Sequence, residues 1–144
     1  MRILVTGSRD WPAGFLSWSK IAIKITEAAG DTPRSTVTVV HGAARGVDTY
    51  AHQAATVLGF TTEPHHADWD APCQPECDHG GRRQRKDGRT YCPAAGNYRN
   101  QEMVDAGADV CLAFYIPGLP CVGTSDCDRR ATEAGIPVVR IGKT

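Results

Sequence analysis

Two sets of residues in this 144-residue chain carry chemistry in their types and spacing. The first is Cys73-x3-Cys77-x-His79-x12-Cys92. Three thiolates and an imidazole are the donor set of a closed, tetrahedral, structural zinc site, with no open position at which to activate water. The spacing is not a C-x2-C pair, and His65, His66, Asp68 and Asp70 stand near enough to replace His79 as fourth ligand. Free thiols on a mobile loop, or a disulfide in an oxidising milieu, are the competing readings. A cytosolic chain keeps its thiols reduced, which favours zinc. The second set lies in short loops: Gly7-Ser8-Arg9, His41-Gly42, Gly46, Asp48, Arg99-Asn100 and Gly123-Thr124. Glycines let backbone N–H groups approach an anion, and guanidinium pairs with phosphate bidentately. Each residue also has a plainer reading. The arginines are surface charges, Asp48 complements a helix dipole, and His41 satisfies local backbone. Trp11 and Trp69 follow strand ends, where they stack a base or pack as rim aromatics. Arg82, Arg83, Arg85, Lys86 and Arg89 form a basic run that reads as a solvated face or as a contact to a phosphate backbone.

What positions these residues is an alternation of strand and helix. Thr36 to Leu58 is the central unit: a β-branched strand to Val40, a break at His41-Gly42, and a helix from Val47. That helix repeats Val47, Tyr50, Ala51, Ala54, Ala55 and Leu58 on one face. Before it come a strand over residues 2–6 and a helix over 15–29, stopped by Gly30. A more polar strand, Phe60 to His65, belongs nearer an edge. After it, the pattern predicts a Cys-rich inserted loop over 71–95, without periodicity and overlapping a helix from Ala94 to Ala106. A central strand from Ala108 to Ile116, a short helix entered at Gly123-Thr124 and a strand over 137–141 complete the chain. Such alternation predicts a single α/β domain over 1–144, a doubly wound parallel sheet with ligands outside the carboxyl ends of its strands. The loops after strands one, two and four then share one edge with Arg99-Asn100.

Sixteen basic and sixteen acidic residues cancel, which disfavours nucleic acid as a partner. No apolar run approaches the ~20 residues of a membrane span, and the amino-terminal run is too short for a signal peptide. These features predict a cytoplasmic protein with no membrane partner. There is no G-x-G-x-x-G after strand one and no G-x-x-x-x-G-K-[ST] loop.

Thr6-Gly7-Ser8-Arg9, His41-Gly42-Ala43-Ala44-Arg45-Gly46-Val47-Asp48, Arg99-Asn100-Gln101 and Gly123-Thr124 together resemble the YspA/YpsA-related branch of the SLOG superfamily. That superfamily includes the Lonely Guy phosphoribohydrolases and DprA. The resemblance spans nearly the whole chain except the insert. It implies a Rossmann-like sheet of order 3-2-1-4-5 that binds a nucleotide or nucleotide-derived small molecule, as sensor or sequestering protein. By that resemblance Gly7, Ser8 and Arg9 contact phosphate or ribose. Gly42, Gly46 and Asp48 shape a second wall, and Gly123-Thr124 opens a phosphate-binding helix. A capacity for self-association into homo-oligomers is also implied. The phosphoribohydrolases carry P-G-G-x-G-T-x-x-E; the matching loop here runs from Pro117 to Cys127, lacks the second glycine and has Cys127 in place of the glutamate. Cleavage of a nucleoside monophosphate at its N-glycosidic bond is the alternative activity, with Asp126 as the nearest carboxylate. Single-stranded nucleic-acid binding after the manner of DprA is a weaker alternative.

Overall fold

The computed structural model describes residues 1–143 and runs β1 (Arg2–Gly7), α1 (Phe15–Ala29), β2 (Thr38–His41), α2 (Val47–Leu58), β3 (Thr61–Pro64). A small antiparallel hairpin follows, β4 (Arg83–Gln84) with β5 (Thr90–Tyr91). Then come α3 (Ala95–Asp105), β6 (Val110–Phe114), α4 (Val122–Glu133) and β7 (Val138–Ile141). The five longer strands form one parallel sheet in the order β3-β2-β1-β6-β7. Counted among sheet strands alone this is 3-2-1-4-5, the order the resemblance implied.

Alternation within β1 explains why both faces are covered. Ile3 and Val5 pack on one side with Ile21 and Ile25 of α1 and Val47, Ala51 and Ala55 of α2. Leu4 points the other way, to Met103 and Val104 of α3 and Cys127 and Ala131 of α4. A parallel strand sandwiched between helices has no solvent face, hence the unbroken apolar run. Order reverses at β1, which lies between β2 and β6, so the carboxyl ends of these three strands open onto one crevice. As expected, β3 is an edge strand. Among the described residues no helix is long and apolar enough to cross a membrane.

Several boundaries differ from expectation; β6, for one, spans Val110–Phe114 and is shorter at both ends than the run from Ala108 to Ile116. β2 begins at Thr38, not Thr36, because residues Arg34–Thr36 wind into a 3-10 turn. Thr36 gives both its N–H (2.9 Å) and its hydroxyl (2.7 Å) to the Pro33 carbonyl, and so leaves the ladder. β2 also runs on through His41, which stays in register between Val5 and Pro64. α4 starts at Val122, so Gly123 and Thr124 lie inside its first turn. The insert is not wholly irregular: it contains the β4–β5 hairpin, and α3 has begun by Ala95.

Candidate functional site

The strand-end loops interlock through backbone. The Ser8 N–H donates to the Phe114 carbonyl (3.2 Å), and the Ser8 carbonyl accepts from Val47 N–H (3.2 Å). Gly46 has φ +80°, and a Cβ there would stand 2.3 Å from the Ser8 oxygen, so only glycine fits. A Cβ on Gly42 would fall 2.7 Å from the Arg99 guanidinium. Its absence lets Arg99, itself buried, reach across from α3 and donate through Nη1 to the Gly42 carbonyl and through Nε to Asn100 Oδ1 (3.0 Å). Asn100 then ties α3 to α4, its amide donating to the Gly123 carbonyl (3.2 Å) and Asp126 Oδ2 (3.1 Å). The Thr124 hydroxyl is buried and accepts from the Cys121 thiol (3.1 Å).

Two adjoining cavities result. The larger, about 600 Å³, is lined by Arg9, Gly42, Arg45, Arg85 and Arg99 with the rings of Trp69 and Tyr91. The smaller, about 170 Å³, lies between Gly7-Ser8-Arg9, Asp48, Arg99-Asn100 and the α4 start at Gly123-Thr124. Arg9, Ala44 and Arg99 border both. Of the strand-edge residues predicted from sequence, His41 and Gly46 line neither cavity; Gly46 shapes the wall from behind. Trp69 lines the larger cavity, whereas Trp11 packs edge-on against Phe114 (5.7 Å between ring centres) and donates to the Ser17 carbonyl (3.1 Å).

Burial sets the charge states. Asp48 Oδ2 accepts from the Gly42 (3.1 Å) and Ala44 (3.2 Å) N–H groups, while its buried Oδ1 has no hydrogen-bond partner among the described residues. Desolvation pushes the carboxyl up to about 6, against the pull of the Ala44 N–H and Arg99. Burial likewise lowers the Arg99 pKa, although guanidinium stays charged. His41 is pushed down to about 4, first by desolvation and then by His52. The Ala43 N–H donates to His41 Nδ1 (3.0 Å), so the ring proton sits on Nε2 and is shared with His52 Nδ1 (2.9 Å). His41 thereby holds Ala43, the one non-glycine among the described residues with positive φ, at +55°.

The insert brings Cys73, Cys77, His79 and Cys92 together, with all four ligand atoms within 4.8 Å of one another. This group could hold a metal ion. His79 Nε2 lies 3.6 Å from both Cys73 Sγ and Cys92 Sγ, and Cys77 Sγ lies 3.7 Å from Cys92 Sγ. The Gly81 carbonyl, 2.6 Å away, can only accept, so Nδ1 carries the proton and Nε2 presents its lone pair inward. The longer contact from Gly81 N–H to the same nitrogen (3.3 Å) cannot then be a hydrogen bond. The Tyr98 hydroxyl lies 2.9 Å from Cys77 Sγ. Two of the four nearby alternatives are engaged elsewhere. His65 bridges Glu63 (2.8 Å) and Glu102 (3.0 Å), and Asp68 accepts from the Ala71 N–H (3.2 Å).

Two stitches organise the rest of the insert. Arg82 donates to the Ala71 carbonyl (2.6 Å) and to the Thr90 hydroxyl (3.0 Å), so this member of the basic run is an internal strut. The Cys92 N–H donates to the Trp69 carbonyl (3.0 Å), closing the insert on itself. The hairpin so held delivers Arg85 and Tyr91 to the larger cavity, two lining residues the sequence reading did not single out. The basic run signalled cations in the insert, but only the hairpin register selects the one that turns inward.

A family model described as YAcAr, the YspA, cpYpsA-related SLOG family, matches residues 1–71 and ends where the insert begins. The gene 61 protein of Mycobacterium phage D29 is 40% identical over 146 residues, covering 98% of this chain and 96% of that protein. Among solved structures, DNA processing protein A (DprA) of Streptococcus pneumoniae aligns with a TM-score of 0.48 and 19% identity, covering 98% of this chain. The aligned region is 59% of that structure's length.

Proposed function

Because the chain belongs to the YspA, cpYpsA-related SLOG family, we propose that it binds a nucleotide or nucleotide-derived small molecule at the carboxyl edge of its sheet, as sensor or sequestering protein. The observation that carries this is the position of Arg9 and Arg99 on the border shared by two cavities at the strand ends. The smaller cavity offers the α4 amino terminus to a phosphate, and Asp48 forms part of its wall. The insert would hold a single structural zinc through Cys73, Cys77, His79 and Cys92. A zinc–sulfur bond of about 2.3 Å and zinc–nitrogen of about 2.0–2.1 Å require tetrahedral edges of about 3.8 Å between sulfurs and about 3.6 Å from sulfur to nitrogen. Three of the six edges, at 3.6, 3.6 and 3.7 Å, fit that requirement, and all six lie within 4.8 Å. Four protein ligands leave zinc no catalytic position, so it supplies structure alone.

Hydrolysis of an N-glycosidic bond is less well supported. Asp126, the carboxylate nearest Gly123-Thr124, already accepts from Asn100 (3.1 Å), Arg129 (3.1 Å) and Arg130 (2.8 Å). The test is thermal denaturation against a panel of nucleosides and nucleotides, with wild type and Arg9→Ala. Wild type is expected to gain melting temperature with at least one nucleotide, and Arg9→Ala to lose most of the gain. A panel that never moves the wild-type transition contradicts the reading. Release of free base from a bound monophosphate, followed chromatographically, would favour the enzyme instead.

A further inference from the structure

We propose that the insert hairpin completes a clamp for a pyrophosphate-type group, so that the ligand carries at least two linked phosphates; this deepens the strand-edge reading and rests on it. The larger cavity is walled by Arg9, Arg45 and Arg99 on the sheet side and by Arg85 on the hairpin side, and no carboxylate lines it. Arg45 has an acidic neighbour, Asp10, at 3.6 Å, with both side chains largely in solvent. Among the described residues Arg9, Arg85 and Arg99 have no carboxylate within ion-pair distance. Three guanidinium groups without a close ion-pair partner therefore line one cavity, with Asp48 acting on Arg9 and Arg99 only from farther away.

Aromatic rings hold two of them in place. The Arg9 guanidinium lies over Trp69 (5.7 Å to the ring centre) and that of Arg85 over Tyr91 (5.3 Å). Trp69 and Tyr91 meet edge to face at 5.9 Å. The resulting chain of contacts, Arg9–Trp69–Tyr91–Arg85, links the loop after β1 to the hairpin. A guanidinium with its face on a ring keeps its N–H edge available to oxygen acceptors. Arg99 has committed Nη1 and Nε, and its Nη2 makes no hydrogen bond among the described residues. One monophosphate is matched by one or two guanidinium groups. Three that sit in a fixed array across a single cavity match the larger, contiguous charge of a diphosphate. A nucleic-acid backbone presents its phosphates singly along a polymer, and this chain has no net charge to attract one.

The experiment is isothermal titration of the protein as purified with orthophosphate, pyrophosphate, AMP and ADP, in wild type, Arg85→Ala and Arg85→Lys. Pyrophosphate and ADP are expected to bind at least about ten-fold more tightly than orthophosphate and AMP. Arg85→Ala should remove most of that preference, weakening pyrophosphate and ADP more than orthophosphate and AMP, with Arg85→Lys restoring part of it. Unchanged metal content and melting temperature of the variants establish that the hairpin is intact. ADP and AMP binding alike, with Arg85→Ala silent, overturns the clamp and leaves the strand-edge reading standing. A nucleotide panel without any binding overturns both. A single-stranded oligonucleotide that binds and is not displaced by pyrophosphate overturns the clamp in favour of a nucleic-acid contact.

Discussion

Asp48 and His41 sit on the same turn and titrate in opposite senses. Burial raises the Asp48 carboxyl to about 6, above its unfolded value of about 3.9, so between those values the folded protein holds the extra proton. Stability contributed by this group therefore falls as pH rises through the window, and the cost of the buried charge is fully present above it. His41 falls to about 4 from about 6.5, so there the unfolded chain holds the extra proton and stability is lost as pH falls. The two slopes oppose each other between about pH 4 and 6. Asp48→Asn separates them. The amide oxygen can keep the Gly42 and Ala44 donors, and no carboxylate charge is buried. Its ligand-free stability at pH 7.5 should equal or exceed wild type, then decline below pH 6 as the His41 slope is uncovered. Urea denaturation at pH 5 and 7.5 reads this directly; a variant markedly weaker than wild type at pH 7.5 would refute it.

The insert hairpin has little to hold it besides its ligands and struts. Its strands are two residues each and Arg83, Gln84 and Thr90 are exposed, so it buries too little apolar surface to persist alone. One zinc per chain is expected by elemental analysis of protein purified without a histidine tag. Chelation under reducing conditions should speed amide exchange over residues 71–95 and leave β1, β2 and β6 protected, because the sheet pairs without the insert. Negligible zinc in reduced protein, or full occupancy after Cys77→Ser with Cys92→Ser, would count against the site. This element also marks where sequence stopped being legible. The spacing of Cys73, Cys77, His79 and Cys92 named a donor set. The approach of Tyr91 and Arg85 to Arg9 depends on the register of a hairpin that no periodicity announces.

At the scale of the whole molecule, β1 joins two cores that lie on opposite faces of the sheet. Ile3→Ala opens one and Leu4→Ala the other, each at a cost of about 2–5 kcal/mol. Both should shift a single cooperative transition, seen alike by tryptophan fluorescence and far-ultraviolet circular dichroism; a separate early transition in Leu4→Ala alone would argue that the α3–α4 face unfolds by itself. The sheet was largely legible because its strands are apolar runs and its first two helices end at Gly30 and Gly59. Where reading failed at Thr36, short-range hydrogen bonding decided the boundary. The burial of His41 was hidden for another reason. β2 is buried on both faces, so pattern alone does not say which way its last side chain points.

The bond between the Cys92 N–H and the Trp69 carbonyl has a meaning beyond stability. It makes the chain leave the scaffold and return to it at one place, as a handle leaves and rejoins a cup. What lies between those two residues can lengthen, shorten or be exchanged without altering the span that β3 and α3 must bridge. A protein of this plan can trade one lid for another and so change the company its cavity keeps, while inheriting unaltered the scaffold that carries Arg9 and Arg99.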